Sequence, residues 1–179
     1  MFKKFLLVLF LLFPLKLYAF NYFVGMGGGE SRSKVDGIGN NEEKSYVFSL
    51  GGSFGPVLFP VRTEIEYSRL KSKKDYLQMT KNESVGFNVY LGVPLLPILE
   101  PYVGIGVVRM REHYFDNDVW LKSDFKYVPQ YMAGFDLDLP TVILAGGIEY
   151  RYLGTSFDFV DESRKSRIHT FLLKLRYKF

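Results

Sequence analysis

The feature that most limits what this chain can become is its ending. Residues 167–179, "RIHTFLLKLRYKF", place Phe171, Leu173, Leu175, Tyr177 and Phe179 on one side of an extended chain and Lys174, Arg176 and Lys178 on the other. Side chains alternate strictly in a β-strand, so the segment reads as a strand with one apolar and one polar face, running to the last residue. Seven earlier runs repeat the pattern: 21–29, 45–54, 61–68, 84–93, 101–109, 130–139 and 144–152. In 61–68, Val61, Thr63, Ile65 and Tyr67 oppose Arg62, Glu64, Glu66 and Ser68. In 84–93, Val85, Phe87, Val89, Leu91 and Val93 oppose Ser84, Gly86, Asn88, Tyr90 and Gly92.

The connections between these runs alternate in character. Polar stretches 30–44, 69–83, 110–128 and 153–166 follow the first, third, fifth and seventh. Short proline-containing ones, "GPVLFP", "PLLPILEP" and "LPT", follow the second, fourth and sixth. An even number of strands with long loops at one end and short turns at the other predicts an all-β fold. The expected form is an eight-stranded antiparallel up-and-down barrel. No repeat or linker divides it.

At the other terminus, "MFKK" precedes an apolar run over residues 5–15, and Ala19 supplies a small residue. This is the layout of a secretory signal peptide, with cleavage expected after Ala19. Lys16 interrupts the run well short of the ~20 apolar residues that a spanning helix needs. The expected organisation is therefore a leader over 1–19 and a barrel domain over 20–179. The leader holds Lys3, Lys4 and Lys16, so the 23 basic residues fall to 20 against 19 acidic ones. The pI of 9.1 is then no sign of nucleic-acid binding. The chain has no Cys, which removes disulfides, thiolate chemistry and a lipoprotein anchor.

Alternation does not say which face points outward. A soluble barrel binding an apolar ligand in the periplasm has its apolar face inside, and a membrane barrel has it outside. The polar face here is rich in Gly and Ser, which suits the cramped lumen of eight strands. Tyr22, Tyr46, Phe54, Tyr67, Tyr131, Tyr150, Tyr152 and Tyr177 recur near the ends of the apolar face, as in the aromatic girdles of membrane barrels. The chain also ends on an aromatic. The reading is a transmembrane barrel, whose lumen then holds Arg62, Glu64, Glu66, Asp136, Asp138, Glu149, Arg151, Lys174, Arg176 and Lys178. Five acids and five bases predict a lumenal ion-pair network, since buried charge is costly unless paired. Lys174 and Arg176 are expected near Glu64, Glu66 or Asp136.

The ending "LLKLRYKF" resembles the C-terminal strand of Gram-negative outer-membrane proteins. "LEPYVGIGVV" (99–108) and "AGGIEYRYLGT" (145–155) resemble strands of the small eight-stranded surface antigens of the opacity-protein-like outer-membrane β-barrel superfamily. The resemblance implies that Leu173, Leu175, Tyr177 and Phe179 are read by the barrel-assembly machinery. The expected protein is a non-enzymatic, monomeric surface protein among outer-membrane lipid and lipopolysaccharide, without cofactor or metal, with external loops for adhesion or contact with host surface molecules.

Some small barrels are lipid-A acylases or deacylases. His113 and His169 are the only histidines, and neither has a Ser and an acid at a spacing that builds a triad. "DND" (116–118) lacks the glycine and the bidentate Glu of a calcium loop. The glycines of "GMGGGE" and "GIGVVR" are not followed by a helix pattern. Two stretches remain as candidate external contacts. One is the basic segment with Lys71, Lys73 and Lys74. The other is the aromatic segment with Tyr114, Phe115 and Trp120.

Overall fold

The structure is a computed structural model that describes residues 21–35, 39–55, 59–72, 78–93, 98–116, 119–122, 124–138, 143–158 and 163–179. The strands are β1 (Asn21–Val35), β2 (Gly39–Phe54), β3 (Val61–Ser72), β4 (Gln78–Gly92), β5 (Leu99–Asp116), β6 (Val119–Lys122), β7 (Lys126–Asp138), β8 (Leu144–Asp158) and β9 (Ser163–Lys178). Every pairing is antiparallel. Neighbour follows neighbour from β1 to β5 and from β7 to β9. β5 pairs with β7, and β9 returns to β1, so eight strands close into a barrel without an open edge.

The short β6 does not add a ninth stave. It pairs with β5 on the edge that β7 also uses. Lys122 faces His113 and Lys126 faces Met110, so four steps along one strand oppose three along the other. β6 and β7 are thus two parts of one barrel strand separated by a one-residue bulge.

The faces alternate as the sequence predicts. Val24, Met26, Phe48, Leu50, Ile65, Phe87, Val103, Ile105, Phe135, Ile148, Phe171, Leu173 and Leu175 are exposed on the outer wall, although all are apolar. Arg62, Glu64, Glu66, Glu149, Arg151, Lys174 and Arg176 are buried inside. Only a surrounding apolar medium makes this inversion favourable, because each outward side chain would otherwise meet water.

The rim where β1 begins and β9 ends is tied by backbone bonds outside the ladders. Gly92 donates to Pro60 (2.9 Å), Asp138 to Ile98 (2.9 Å), and Lys178 to Ile143 (2.8 Å). Gly55 adopts φ 110° as the chain leaves β2, a conformation open to glycine and strained for other residues. The amide of Phe179 donates to Tyr22 (3.0 Å), and the two rings stack at 6.3 Å. The terminal aromatic therefore completes the β1–β9 seam.

The far rim differs from expectation. The stretches 30–44, 69–83, 110–128 and 153–166 were expected to be loops and are mostly strand. β1 continues to Val35 and β2 begins at Gly39, β3 continues to Ser72, β5 to Asp116 and β8 to Asp158. The cause is that the outer face meets water beyond the apolar band and turns polar, while the inner face mixes apolar Leu70 and Met110 with polar Ser31, Ser33 and Glu43, so the period-two signal ends although the ladder does not. These four connections do share one rim, as antiparallel order requires. The expected leader over 1–19 lies outside the described residues.

A charge-filled lumen and a strand-built far rim

The inner face of β3 gives the order of the lumen from the terminal rim upward: Arg62, Glu64, Glu66, Ser68, Leu70. At the first level, Arg62 Nη1 donates to Asp136 Oδ2 at 2.5 Å, and Arg176 Nη2 lies 2.6 Å from the same oxygen. Arg62 Nε is 3.0 Å from Glu64 Oε1, an ion pair without hydrogen-bond alignment. At the second level, Lys174 Nζ donates to Glu64 Oε2 (2.9 Å) and reaches Glu149 Oε2 (3.5 Å). At the third, Arg151 grips Glu66 with both terminal nitrogens, one at 2.6 Å, and donates through Nε to Glu149. This two-nitrogen grip is the strong form of the Arg–carboxylate pair. Lys178 pairs with Asp138 nearer solvent, where both side chains are about a third exposed. The ten charges named from the sequence thus form two linked clusters and one rim pair.

The sequence reading left four inward polar residues without a role. Tyr102 donates to Glu149 (2.9 Å), and Tyr90 donates to Glu64 (3.4 Å). Asn88 donates to Tyr90 (3.3 Å), and Gln130 donates to Asn88. The rings of Tyr90 and Tyr102 meet edge to face at 5.4 Å, and the Arg62 guanidinium lies 4.4 and 4.6 Å from their centroids. Gly104 makes room for them. A Cβ there would stand 2.6 Å from Tyr90 and 3.0 Å from Met132.

Above the charges lies an apolar layer that the sequence reading did not foresee. Leu70, Val108, Met110, Val128, Leu153 and Ile168 are buried together inside the barrel. Higher still, Ser31 bonds Thr170 (2.8 Å) and Ser33 donates to Glu43 (3.0 Å). Glu43 lies beyond the apolar band, between Glu42 and Lys44 on the outer wall of β2. Burial pushes its carboxyl up to about 7, and the Ser33 hydroxyl offsets part of that. Its Oε2 is buried without a hydrogen-bond partner among the described residues. Paired charges below and packed apolar side chains above fill the lumen, as expected for eight strands.

On the outer wall, His169 Nδ1 lies 2.7 Å from the Tyr150 hydroxyl, and its ring packs beside Tyr152 and Phe171 sits beyond Tyr150. This is a girdle arrangement. Among the described residues, no group of three or more His, Cys, Asp or Glu side chains is placed to hold a metal ion. His113 is in β5 rather than a loop, and Asp116 ends that strand. Their side chains, with those of Tyr114, Phe115 and Trp120, lie outside the described residues, though Tyr114 pairs with Leu121 and Phe115 with Trp120 in the β5–β6 hairpin. Lys71 is exposed on β3, and Lys73 and Lys74 lie outside the described residues. The closing residues Leu173, Leu175, Tyr177 and Phe179 all face outward and are exposed.

The barrel superimposes on solved structures. Neisserial surface protein A is matched with a TM-score of 0.71 at 19% identity, over 88% of this chain and 97% of that one. Ail, the attachment invasion locus protein of Yersinia pestis, is matched with a TM-score of 0.64 at 15% identity, over 90% of this chain and 100% of that one. The N-terminal β-barrel domain of Pseudomonas aeruginosa OprF gives 0.52 at 13% identity, over 88% and 97%. Such identities establish a shared fold. No curated protein sequence matches the chain. The sequence model of the outer membrane protein β-barrel domain matches residues 5–179, and this chain belongs to that family.

Proposed function

We propose that this is a non-enzymatic surface protein of a Gram-negative outer membrane, exported by a leader cleaved after Ala19. The far rim, β1–β2, β3–β4, β5–β6 and β8–β9, faces outside and makes the protein's contacts there. One observation carries the reading: the strands continue past the lipid-facing band as a wall with charged side chains, including Glu30, Arg32, Lys34, Glu42, Lys44, Arg69 and Lys71, all exposed. Strand that continues beyond the lipid is a platform for presenting surface. The packed lumen supports a scaffold role over a conducting one. The placement of His169 among tyrosines supports no triad. The names of two structural relatives, a surface protein and an attachment invasion locus protein, point the same way.

The test is a shortened β5–β6 hairpin, with residues 112–122 replaced by a two-residue turn. Folded barrel in the outer membrane, judged by heat-modifiable gel mobility, should be unchanged, while attachment of cells to host surfaces should fall. Shortening β3–β4 around Lys71, Lys73 and Lys74 should produce a loss that fades with salt, because exposed charges are screened. Undiminished attachment after both changes would refute the surface-contact reading.

A further inference from the structure

The outer wall is not uniform where the apolar band ends. On β2 to β5, the first outward position past the band is charged: Lys44 precedes Tyr46, Arg69 follows Tyr67, Glu83 precedes Val85, and Arg109 follows Val107. One outward step further stand Glu42, Lys71 and Arg111. On β7, β8 and β9 the corresponding wall carries Tyr127, Tyr152 and His169. The described part of the β2–β5 sector therefore holds five cations. Adjoining carboxylates are Glu30, which faces Lys44 from β1, Glu83, which faces Arg69 and Arg111, Asp124, and Glu42, which lies 3.7 Å from Arg32 on β1.

The cations are placed in a way that folding alone does not favour. Lys44 and Lys71 face each other directly across β2 and β3, and Glu30 faces Lys44 alone, from β1. Like charges directly opposite in a sheet repel. Arg109 and Arg111, on the same face of β5, both rest on the ring of Phe125, with their guanidinium carbons 3.9 and 3.6 Å from its centroid. A ring under each guanidinium orients it while leaving N–H edges for an anion, and the guanidinium fork suits phosphate oxygens. Immediately toward the band, Tyr67, Val85, Phe87, Ile105 and Val107 form an exposed apolar wall.

We propose that this sector binds a phosphorylated glycolipid of the outer leaflet. Its phosphates lie against Lys44, Lys71, Arg109 and Arg111, and its acyl chains lie along the apolar wall below. Charge complementarity and continuity with the lipid-facing band identify the occupant: the cations begin where the band ends, which is where a lipid's headgroup stands. The proposal rests on the outer-membrane reading above. A barrel found by fractionation to be absent from the outer membrane fails that reading, whereas a barrel that is present there but indifferent to lipid phosphate fails this proposal alone.

The experiment titrates the folded barrel in maltoside micelles with three probes: diphosphoryl lipid A, lipid A stripped of both phosphates, and the soluble polyanion sucrose octasulfate. The expected result is binding of diphosphoryl lipid A about tenfold or more tighter than either other probe, and weaker as salt rises. The variant K44Q/K71Q/R109Q/R111Q should lose about that factor. A control, K34Q/R167Q, removes two facing cations that Glu30 and His169 separate from the band, and should stay within about twofold. Heat-modifiable mobility verifies that each variant is folded, and R109Q/R111Q alone serves if the fourfold variant is not. Equal affinity for the stripped lipid would overturn the proposal. So would octasulfate binding as tight as the diphosphoryl lipid, or an equal loss in the control variant.

Discussion

Arg151 offers the sharpest test of the lumen. Its side chain is 4% exposed, and it is held by Glu66 (1%) and Glu149 (0%). Replacing it with Met removes the cation and nearly keeps the length. Glu149 retains Lys174 at 3.5 Å and the Tyr102 hydroxyl at 2.9 Å, but Glu66 loses its two-nitrogen partner. Removing one member of a buried ion pair costs about 3–5 kcal/mol, because the remaining charge is stranded in a medium of low polarity. Glu66→Gln should also destabilise, because Arg151 then keeps only Glu149 as an ionic partner. The double variant Glu66→Gln with Arg151→Met strands no charge at this pair, so it should be less destabilised than either single one. The coupling in the cycle should be at least about 2 kcal/mol. The assay is equilibrium unfolding in urea of the barrel refolded into lipid vesicles, followed by tryptophan fluorescence of its one Trp and by gel mobility. Losses below about 1 kcal/mol for both single variants, or costs that simply add in the double, would refute the view that these charges are buried and mutually dependent.

The other expectations are more local. Deleting Phe179 removes its amide bond to Tyr22 and the ring stack, and making Phe179 and Tyr177 polar removes the stack; either should slow assembly, and pulse-chase appearance of the heat-modifiable form at the normal rate would contradict this. Gly104→Ala forces a Cβ against Tyr90 and Met132 and should cost about 1–3 kcal/mol in the same unfolding assay. Glu43 gives a pH dependence. Its folded carboxyl titrates near 7 instead of 4.5, so its stabilising contribution is fully present below about 4.5 and is lost as pH rises through 7. The wild type should lose about 2 kcal/mol between pH 5 and pH 8 from this group, and Glu43→Gln should lose correspondingly less.

What could be read from the sequence follows where the chain meets two different media. Along 61–68 or 171–179 one face meets an apolar surround and the other a crowded lumen, so each residue type reports its side. That contrast made the fold, the strand count and the facing of the ten lumenal charges legible. It vanishes past Glu30, Arg69 and Arg109, where the outer face turns polar and the inner face mixes polar and apolar residues, and the far halves of the strands read as loops. The apolar layer of Leu70, Val108, Met110, Val128, Leu153 and Ile168 lies at those same strand ends. Extending the inward parity of Arg62, Glu64 and Glu66 two steps to Leu70 would have found its first member. Tyr90 reads as inward, but its partner Glu64 is 26 residues away on the neighbouring β3, and Tyr102 meets Glu149, 47 residues away, two strands over in the sheet. The bulge between Lys122 and Lys126 changes register in a stretch whose polar residues carry no alternation to be broken. The Arg109–Phe125–Arg111 contact depends on that bulge and was equally hidden.

The central claim is that the apolar face of every strand meets lipid and the charged face fills the lumen. Because the chain lacks cysteine, single Cys substitutions give unique attachment points for a spin label. The decisive measurement is the accessibility of such labels, in the vesicle-reconstituted barrel, to lipid-dissolved oxygen and to a water-soluble nickel chelate along 170–175. The account predicts high oxygen accessibility at 171, 173 and 175, low accessibility to both reagents at 170 and 172, and a period of two. Chelate accessibility at 171, 173 and 175, or a pattern without that period, would contradict it.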